Sequence, residues 1–197
     1  MALDDLTPYL DALASAAPVP GGGAAAAVTI AQGLALLSMV CNLTLGKKKF
    51  APVEAEVHSL LSRLTTLRAE SMSLARDDMA AFASVMDAYR LPADSPPQAA
   101  IKKEALARAT CAAAEPPCRL MQIAADALPL ADRLEVIGNP NVRSDVLVGR
   151  HLLIAGRHAS RENVEINLNS LPPEHPFVAA MRARMATIDP TAERTLV

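Results

Sequence analysis

The groups in this chain that could handle protons or charge are two aspartates, three lysines, a triple glycine and a turn rich in amides. Asp77 and Asp78 lie in RDDMAAF at 76–82, in a helical context where Asp is a poor interior residue. A helix turns 100° per residue, so these two cannot share a face. Asp78 and Phe82 are four apart and can, and Met86 continues that face, so Asp78 is expected to point toward apolar neighbours. Partial burial would raise its pKa and suit it to acid–base work near neutral pH. The plain alternative is that both are solvated surface acids. Lys47, Lys48 and Lys49 follow a long uncharged stretch. They could simply balance a helix dipole, or they could hold an anion or an oxyanion. Asn139, Asn141, Ser144 and Asp145 in GNPNVRSD read as a turn and helix cap, or as a polar edge that pairs with a heterocycle.

The glycines of PVPGGG, Gly21, Gly22 and Gly23, allow positive φ and close approach of a neighbour. They do not form a phosphate loop, because neither the Walker spacing nor a dinucleotide fingerprint is present. His58, His151, His158 and His175 follow no metal pattern, and Cys41, Cys111 and Cys118 have no zinc spacing. No nucleophile elbow surrounds Ser38 or Ser144. The residues call for no metal and no cofactor.

The elements that must position these groups read as helices. No acidic or basic residue occurs between Asp11 and Lys47, and the intervening run of Ala, Val, Ile, Leu and Met reads as one helix buried on all sides. Its length alone would fit a membrane span, but Gln32, Asn42 and the abundance of Ala and Gly favour a central core helix. Gly46 is its expected C-terminal stop. Leu3, Leu6, Leu10 and Leu13 predict a short amphipathic helix before it. Apolar spacing predicts one long helix over 53–90, and LPADSPP ends it. Further helices are expected from Pro97 toward Glu115, from Cys118 to about Leu128, from about Pro129 to Ile137, from the 141–144 region to about Leu168, and over 176–188. Pro116–Pro117 is expected to break the chain's helical run, and Asn141 or Ser144 to cap the helix after the turn. Pro172–Pro173 ends that helix, and a tail from about 189 is expected to be disordered.

The composition agrees. With 197 residues, 51% apolar, 3% aromatic and no Trp, the core must be built from Ala, Leu, Val and Met, which suits close-packed helices. One all-α domain over 1–197, a helical bundle around a central apolar helix, is the expectation. The net charge of −2 gives no field for nucleic acid. Asp4 and Asp5 with no basic segment argue against a signal peptide, and the odd cysteine count against a disulfide framework. A reduced, cytoplasmic protein that is not a membrane protein is expected.

Five motifs also carry a resemblance: PVPGGG at 18–23, NLTLGKKKF at 42–50, RDDMAAF at 76–82, GNPNVRSD at 138–145 and NVEIN at 163–167. In this order they resemble the formiminotransferase-cyclodeaminase C-terminal family, and within it the stand-alone methenyltetrahydrofolate cyclohydrolases. The resemblance covers about Leu10 to Leu171. It implies an all-α folate enzyme, commonly a homodimer, with a tetrahydrofolate derivative as substrate and no further cofactor. It implies hydrolysis of 5,10-methenyltetrahydrofolate to 10-formyltetrahydrofolate, with formiminotetrahydrofolate cyclodeamination as the alternative and a non-catalytic folate-binding or interaction module as another. Asp78, Lys48 and Asp145 would be catalytic, with Lys48 directed inward. Gly21, Gly22, Gly23, Asn42, Lys47, Phe82, Asn139, Asn141, Ser144, Asn163 and Asn167 would contact substrate, with the amide cluster facing the pterin. Phe50 stands where relatives carry Tyr, and Val146 and Leu147 where they carry small residues.

Overall fold

The uncharged stretch forms helix α2, Gly22–Thr44, which the other long helices surround. The computed structural model describes residues 3–190; among them it is built from helices and turns, with no strand. Helix α1 is Thr7–Ala14, α3 Glu54–Tyr89, α4 Pro96–Ile137, α5 Arg143–Asn169 and α6 Pro176–Ile188. Short 3-10 turns cover Leu3–Leu6, Lys48–Val53 and Pro140–Val142. α2 packs against α3 and α5 and more lightly against α4, while α4 also packs along α3 and α5. Ile30, Leu34, Leu37 and Val40 of α2 meet Leu64 of α3, Leu120 and Ile123 of α4 and Leu153 of α5 in the main core. A second core lies between α4, α5 and α6, around Met121, Leu168 and Met181.

Small residues let these helices approach. A Cβ on Gly33 of α2 would lie 2.8 Å from the Gly149 carbonyl oxygen of α5, and one on Gly149 would lie 3.1 Å from that of Gly33. Gly156, further along α5, is closed in the same way by Ile30. The buried hydroxyls of α2 stay satisfied within the helix: Ser38 Oγ donates to Leu34 O at 2.8 Å and Thr44 Oγ1 to Val40 O at 2.7 Å. The expected stop is present, since Gly46 holds φ 71°, a conformation that costs a side-chain-bearing residue energy.

Three expectations need correction. α2 is not buried on all sides: Gln32 and Asn42 are exposed, and Met39 and Leu43 beside them are 36% and 39% exposed. Its length and apolarity match a membrane span, yet 61% of the relevant window is buried inside the bundle. Second, Pro116–Pro117 does not break the helix; α4 runs through both, and through Pro129, for 42 residues. A proline at 117 deprives the Ala113 carbonyl of its helical donor, and Asn167 of α5 supplies one at 3.2 Å. Both proline rings are buried, so packing offsets what the backbone loses. Third, neither Asn141 nor Ser144 caps α5. The residue before α5 is Val142, without a side-chain cap, and it is Asn139 that accepts the Asn141 N–H at 3.1 Å. At the C-terminus, Asp189 is buried and pairs with Arg157 at 3.3 Å. The tail expected to be disordered otherwise falls, beyond Pro190, outside the described residues.

The α2–α5 crossing has a direct test. Gly33→Ala places a methyl against backbone that cannot swing aside, and is expected to destabilise by about 1–3 kcal/mol in urea unfolding. A loss no larger than that of an exposed Ala substitution would mean that the crossing is loose.

Candidate active site

Asp78 lies on the face of α3 that its spacing from Phe82 predicts, and that face meets the N-terminal end of α2. A Cβ built on Gly23 would collide with Asp78 Cγ, Oδ1 and Oδ2 alike, so the carboxylate lies flat against the glycine backbone. Beside it, Asn163 of α5 presses on Gly22, with Oδ1 3.1 Å from where a Cβ would stand. Close approach is therefore what Gly22 and Gly23 provide. Positive φ is not: among the described glycines only Gly46 has it, and Gly21 is extended at φ −129°.

These contacts floor a hollow of about 340 Å³. Gly21, Gly22, Gly23, Asp78, Phe82, Asn163 and Asn167 all line it, as expected for a shared site. Asn163 and Asn167 are held by α5 itself: Asn163 Nδ2 donates to Ala159 O and Asn167 Nδ2 to Asn163 O, each at 2.8 Å. Asn167 is thus fully engaged as a donor, while the Asn163 Oδ1 remains available as an acceptor. Asp78 forms no hydrogen bond or ion pair with any described residue, and burial alone pushes its carboxyl above the ordinary carboxylate range. Asp77 is exposed, as the helical turn requires.

The walls include Met86, which the spacing from Phe82 already placed on this face, and residues that the sequence reading passed over: Val85, Tyr89, Ile166 and Ser170. A signal for them existed. Positions 78, 82, 85 and 89 recur at helical spacing on α3, and 163, 166, 167 and 170 on α5. Together they give flat apolar sides around one unpaired carboxylate, which suits a planar ring system bearing positive charge.

The remaining candidates lie elsewhere. Asn42, Lys47, Lys48, Asn139, Asn141, Ser144 and Asp145 gather at the other end of α2, about 33 Å away by helical rise. Lys48, expected to point inward, is exposed, as are Lys47, Asn42, Asn141 and Ser144; Asp145 is half-buried. Asn139 is buried and its work is structural. Its backbone N–H donates to Thr44 Oγ1 at 3.0 Å and its Nδ2 to Leu43 O at 3.1 Å, which clasps the α4–α5 turn to the end of α2. Within one chain, Lys48 and Asp145 therefore do not meet Asp78. Among the described residues, no three His, Cys, Asp or Glu side chains are grouped to hold a metal ion.

Comparison with known proteins identifies relatives of the whole chain. The sequence profile of the formiminotransferase-cyclodeaminase family matches residues 5–187. The chain is 39% identical over 163 residues to a methenyltetrahydrofolate cyclohydrolase of Methylorubrum extorquens, a match covering 83% of this chain and 78% of that protein. It is 31% identical over 183 residues to the formimidoyltransferase-cyclodeaminase of Sus scrofa, covering 93% of this chain but only 34% of the longer protein. The crystal structure of formiminotetrahydrofolate cyclodeaminase from Thermotoga maritima superposes with a TM-score of 0.83 at 30% identity, over 95% of this chain and 89% of that one.

The raised Asp78 pKa fixes a sign for stability. A carboxyl that binds its proton more readily when folded makes no difference below its unfolded pKa, and costs stability as pH rises through the folded one. Asp78→Asn removes that cost. Its Tm is expected to equal or exceed wild type at pH 7–8, with the gap closing on acidification. A variant that melts well below wild type at neutral pH would show that ionised Asp78 is instead a stabilising partner.

Proposed function

The chain belongs to the formiminotransferase-cyclodeaminase family, and on that premise we propose that it hydrolyses 5,10-methenyltetrahydrofolate to 10-formyltetrahydrofolate. One observation carries the reading: a half-buried carboxylate with no partner among the described residues, set on glycine backbone at the floor of an apolar-walled hollow. The 39% identity to a stand-alone methenyltetrahydrofolate cyclohydrolase favours hydrolysis over other reactions of the family.

The chemistry follows from the geometry. The substrate is a cation with its charge delocalised over N5, N10 and the bridging carbon, and the Asp78 carboxylate favours binding that charge. Water adds to the bridging carbon, and Asp78 accepts the proton that the water loses. In the resulting adduct the hydroxyl gives up its proton as the C–N5 bond breaks, and N5 takes one up. One water is consumed and one net proton released. Phe82, Met86 and Tyr89 offer surfaces for the flat rings. The Asn163 Oδ1 is placed to accept from an N–H of the pterin or from the attacking water. No metal or further cofactor enters this route.

Further parts of the reading concern the assembly and its place in the cell. The exposed stripe of α2, with Gln32, Met39 and Leu43, suits burial against a second copy. An antiparallel pairing of two such stripes would set Lys47, Lys48 and Asp145 of one copy at the α2 N-terminal end of the other. In that homodimer they join Asp78, where Lys48 balances oxyanion charge, as a single chain does not allow. A cytoplasmic location fits free cysteines, with Cys41 and Cys118 buried. The second reading is cyclodeamination, in which N10 attacks a formimino carbon and ammonia leaves; the fold shared with the Thermotoga enzyme favours it.

Loss of the substrate chromophore over the buffer rate is the assay. Wild type is expected to accelerate it, and Asp78→Asn to lose about 100-fold or more in kcat. Since the base must be ionised, kcat/KM is expected to fall on acidification with a midpoint above the ordinary carboxylate value of about 4, and that limb should vanish in the variant. Acceleration that survives in Asp78→Asn would remove the carboxylate from the mechanism. Absence of acceleration, with ammonia release from 5-formiminotetrahydrofolate, would establish the second reading.

A further inference from the structure

Helix α4 carries three prolines in its interior, and each withholds a backbone N–H from the carbonyl four residues earlier, at 112, 113 and 125. Of these three residues, Ala113 lines the Asp78 hollow. A proline ring also crowds the carbonyl it leaves free out of line with the helix. Asn167 of α5, which lines the same hollow, takes up the Ala113 oxygen: its Nδ2 donates to Ala113 O at 3.2 Å and to Asn163 O at 2.8 Å. These two bonds use both N–H groups of the carboxamide. They also fix which way it faces, because turning it over would set its oxygen against two carbonyl oxygens. What Asn167 has left for the hollow is Oδ1.

A residue other than proline at 117 changes this outcome. Its N–H would take the Ala113 oxygen inside α4, as in any unbroken helix. Asn167 would keep the Asn163 bond alone, and its second N–H would be left over. The wall at 167 would then offer a donor as well as an acceptor.

We propose that Pro117 is a positioning residue for the substrate: it makes Asn167 present its carboxamide oxygen, and no N–H, to the hollow. This rests on the folate reading above. Asn167 stands one turn of α5 beyond Asn163, whose Oδ1 faces Gly22, and Asp78 lies beside them against Gly23. Such a row of acceptors suits a ring whose edge carries amino and N–H groups, as the edge of a reduced pterin does. An N–H at 167 would meet that edge donor to donor. Pro117 therefore selects the orientation in which the ring enters and has no part in the attack of water. Pro116 is the contrast. Its ring is buried too, but the carbonyl it frees belongs to Ala112, which is exposed and outside the lining of the hollow.

The test is steady-state turnover of 5,10-methenyltetrahydrofolate by a series of variants. Pro117→Ala is expected to raise KM by on the order of 5- to 10-fold, the worth of one hydrogen bond, with kcat held. Pro117→Val keeps more of the buried bulk; it is expected to do the same and carries the test where the Ala variant does not fold. Pro116→Ala is expected to match wild type in both constants. Asn167→Ala is expected to raise KM, and adding Pro117→Ala to it to raise KM no further. An unchanged KM in the Pro117 variants, failure of both to fold, an equal rise in Pro116→Ala, or KM effects that multiply in the double variant would overturn the proposal. If wild type does not turn the substrate over, the functional reading fails separately. Equilibrium dialysis of tetrahydrofolate against wild type and Pro117→Ala then decides: weaker binding by the variant supports the positioning role, and equal affinities or no binding at all overturn it.

Discussion

The Asp78 carboxylate lies against the backbone of Gly23, and much of the bundle is arranged so that it can. A methyl group at 23 would occupy its place. The contact requires α3 to run close to the first turn of α2, and α5 to close the other side through Asn163 on Gly22. Such short separations persist only if the helices stay close along their length. Gly33 against Gly149 and Gly156 against Ile30 maintain this, and the Ala-rich core of α2 fills what little space remains. The near absence of aromatic side chains, 3% of the chain, thus bears on the site as well as on the core.

Charge is managed differently at Asp78 from elsewhere on the same helix. α3 also carries Glu56 and Glu70, and each is gripped by an arginine of α4 through two hydrogen bonds, Arg133 at 2.6 and 2.8 Å and Arg119 at 2.6 and 2.9 Å. Those forks fix the register of α3 on α4. Asp78 receives no such partner, so its desolvation goes uncompensated and its proton affinity rises. A half-buried carboxylate left without the fork that Glu56 and Glu70 receive is costly for the fold and useful to a ligand that brings its own positive charge.

The sequence made the helices and the composition of the core legible because both depend on local spacing. The period of apolar residues delimits α3 to within a residue at either end, and the glycine at 46 marks the stop after α2. It failed where a distant side chain repairs a local fault. Nothing near Pro116–Pro117 announces that Asn167, 54 positions ahead of Ala113, will supply the missing donor. The site was half legible for a related reason. Asp78 and Phe82 were readable from a helical face and the two asparagines of α5 from the resemblance of NVEIN, whereas the meeting of Tyr89 and Ser170 at one hollow depends on how α3 and α5 cross.

The motifs that one chain does not bring together are instructive about what motif order can carry. GNPN and GKKK stand together at the end of α2 opposite Asp78. Part of that cluster is explained by folding alone: Asn139 spends its backbone N–H, its side-chain Nδ2 and its side-chain Oδ1 on Thr44, Leu43 and Asn141. Asp145 sits in the first turn of α5, where a negative charge offsets the helix dipole. Lys47 and Lys48 stand beyond the last turn of α2 and make no ion pair with a described acid, while Lys49 lies over the Phe50 ring at 5.6 Å. A residue type that folding does not require, placed beside an apolar stripe that the chain leaves open, makes most sense in contact with another molecule.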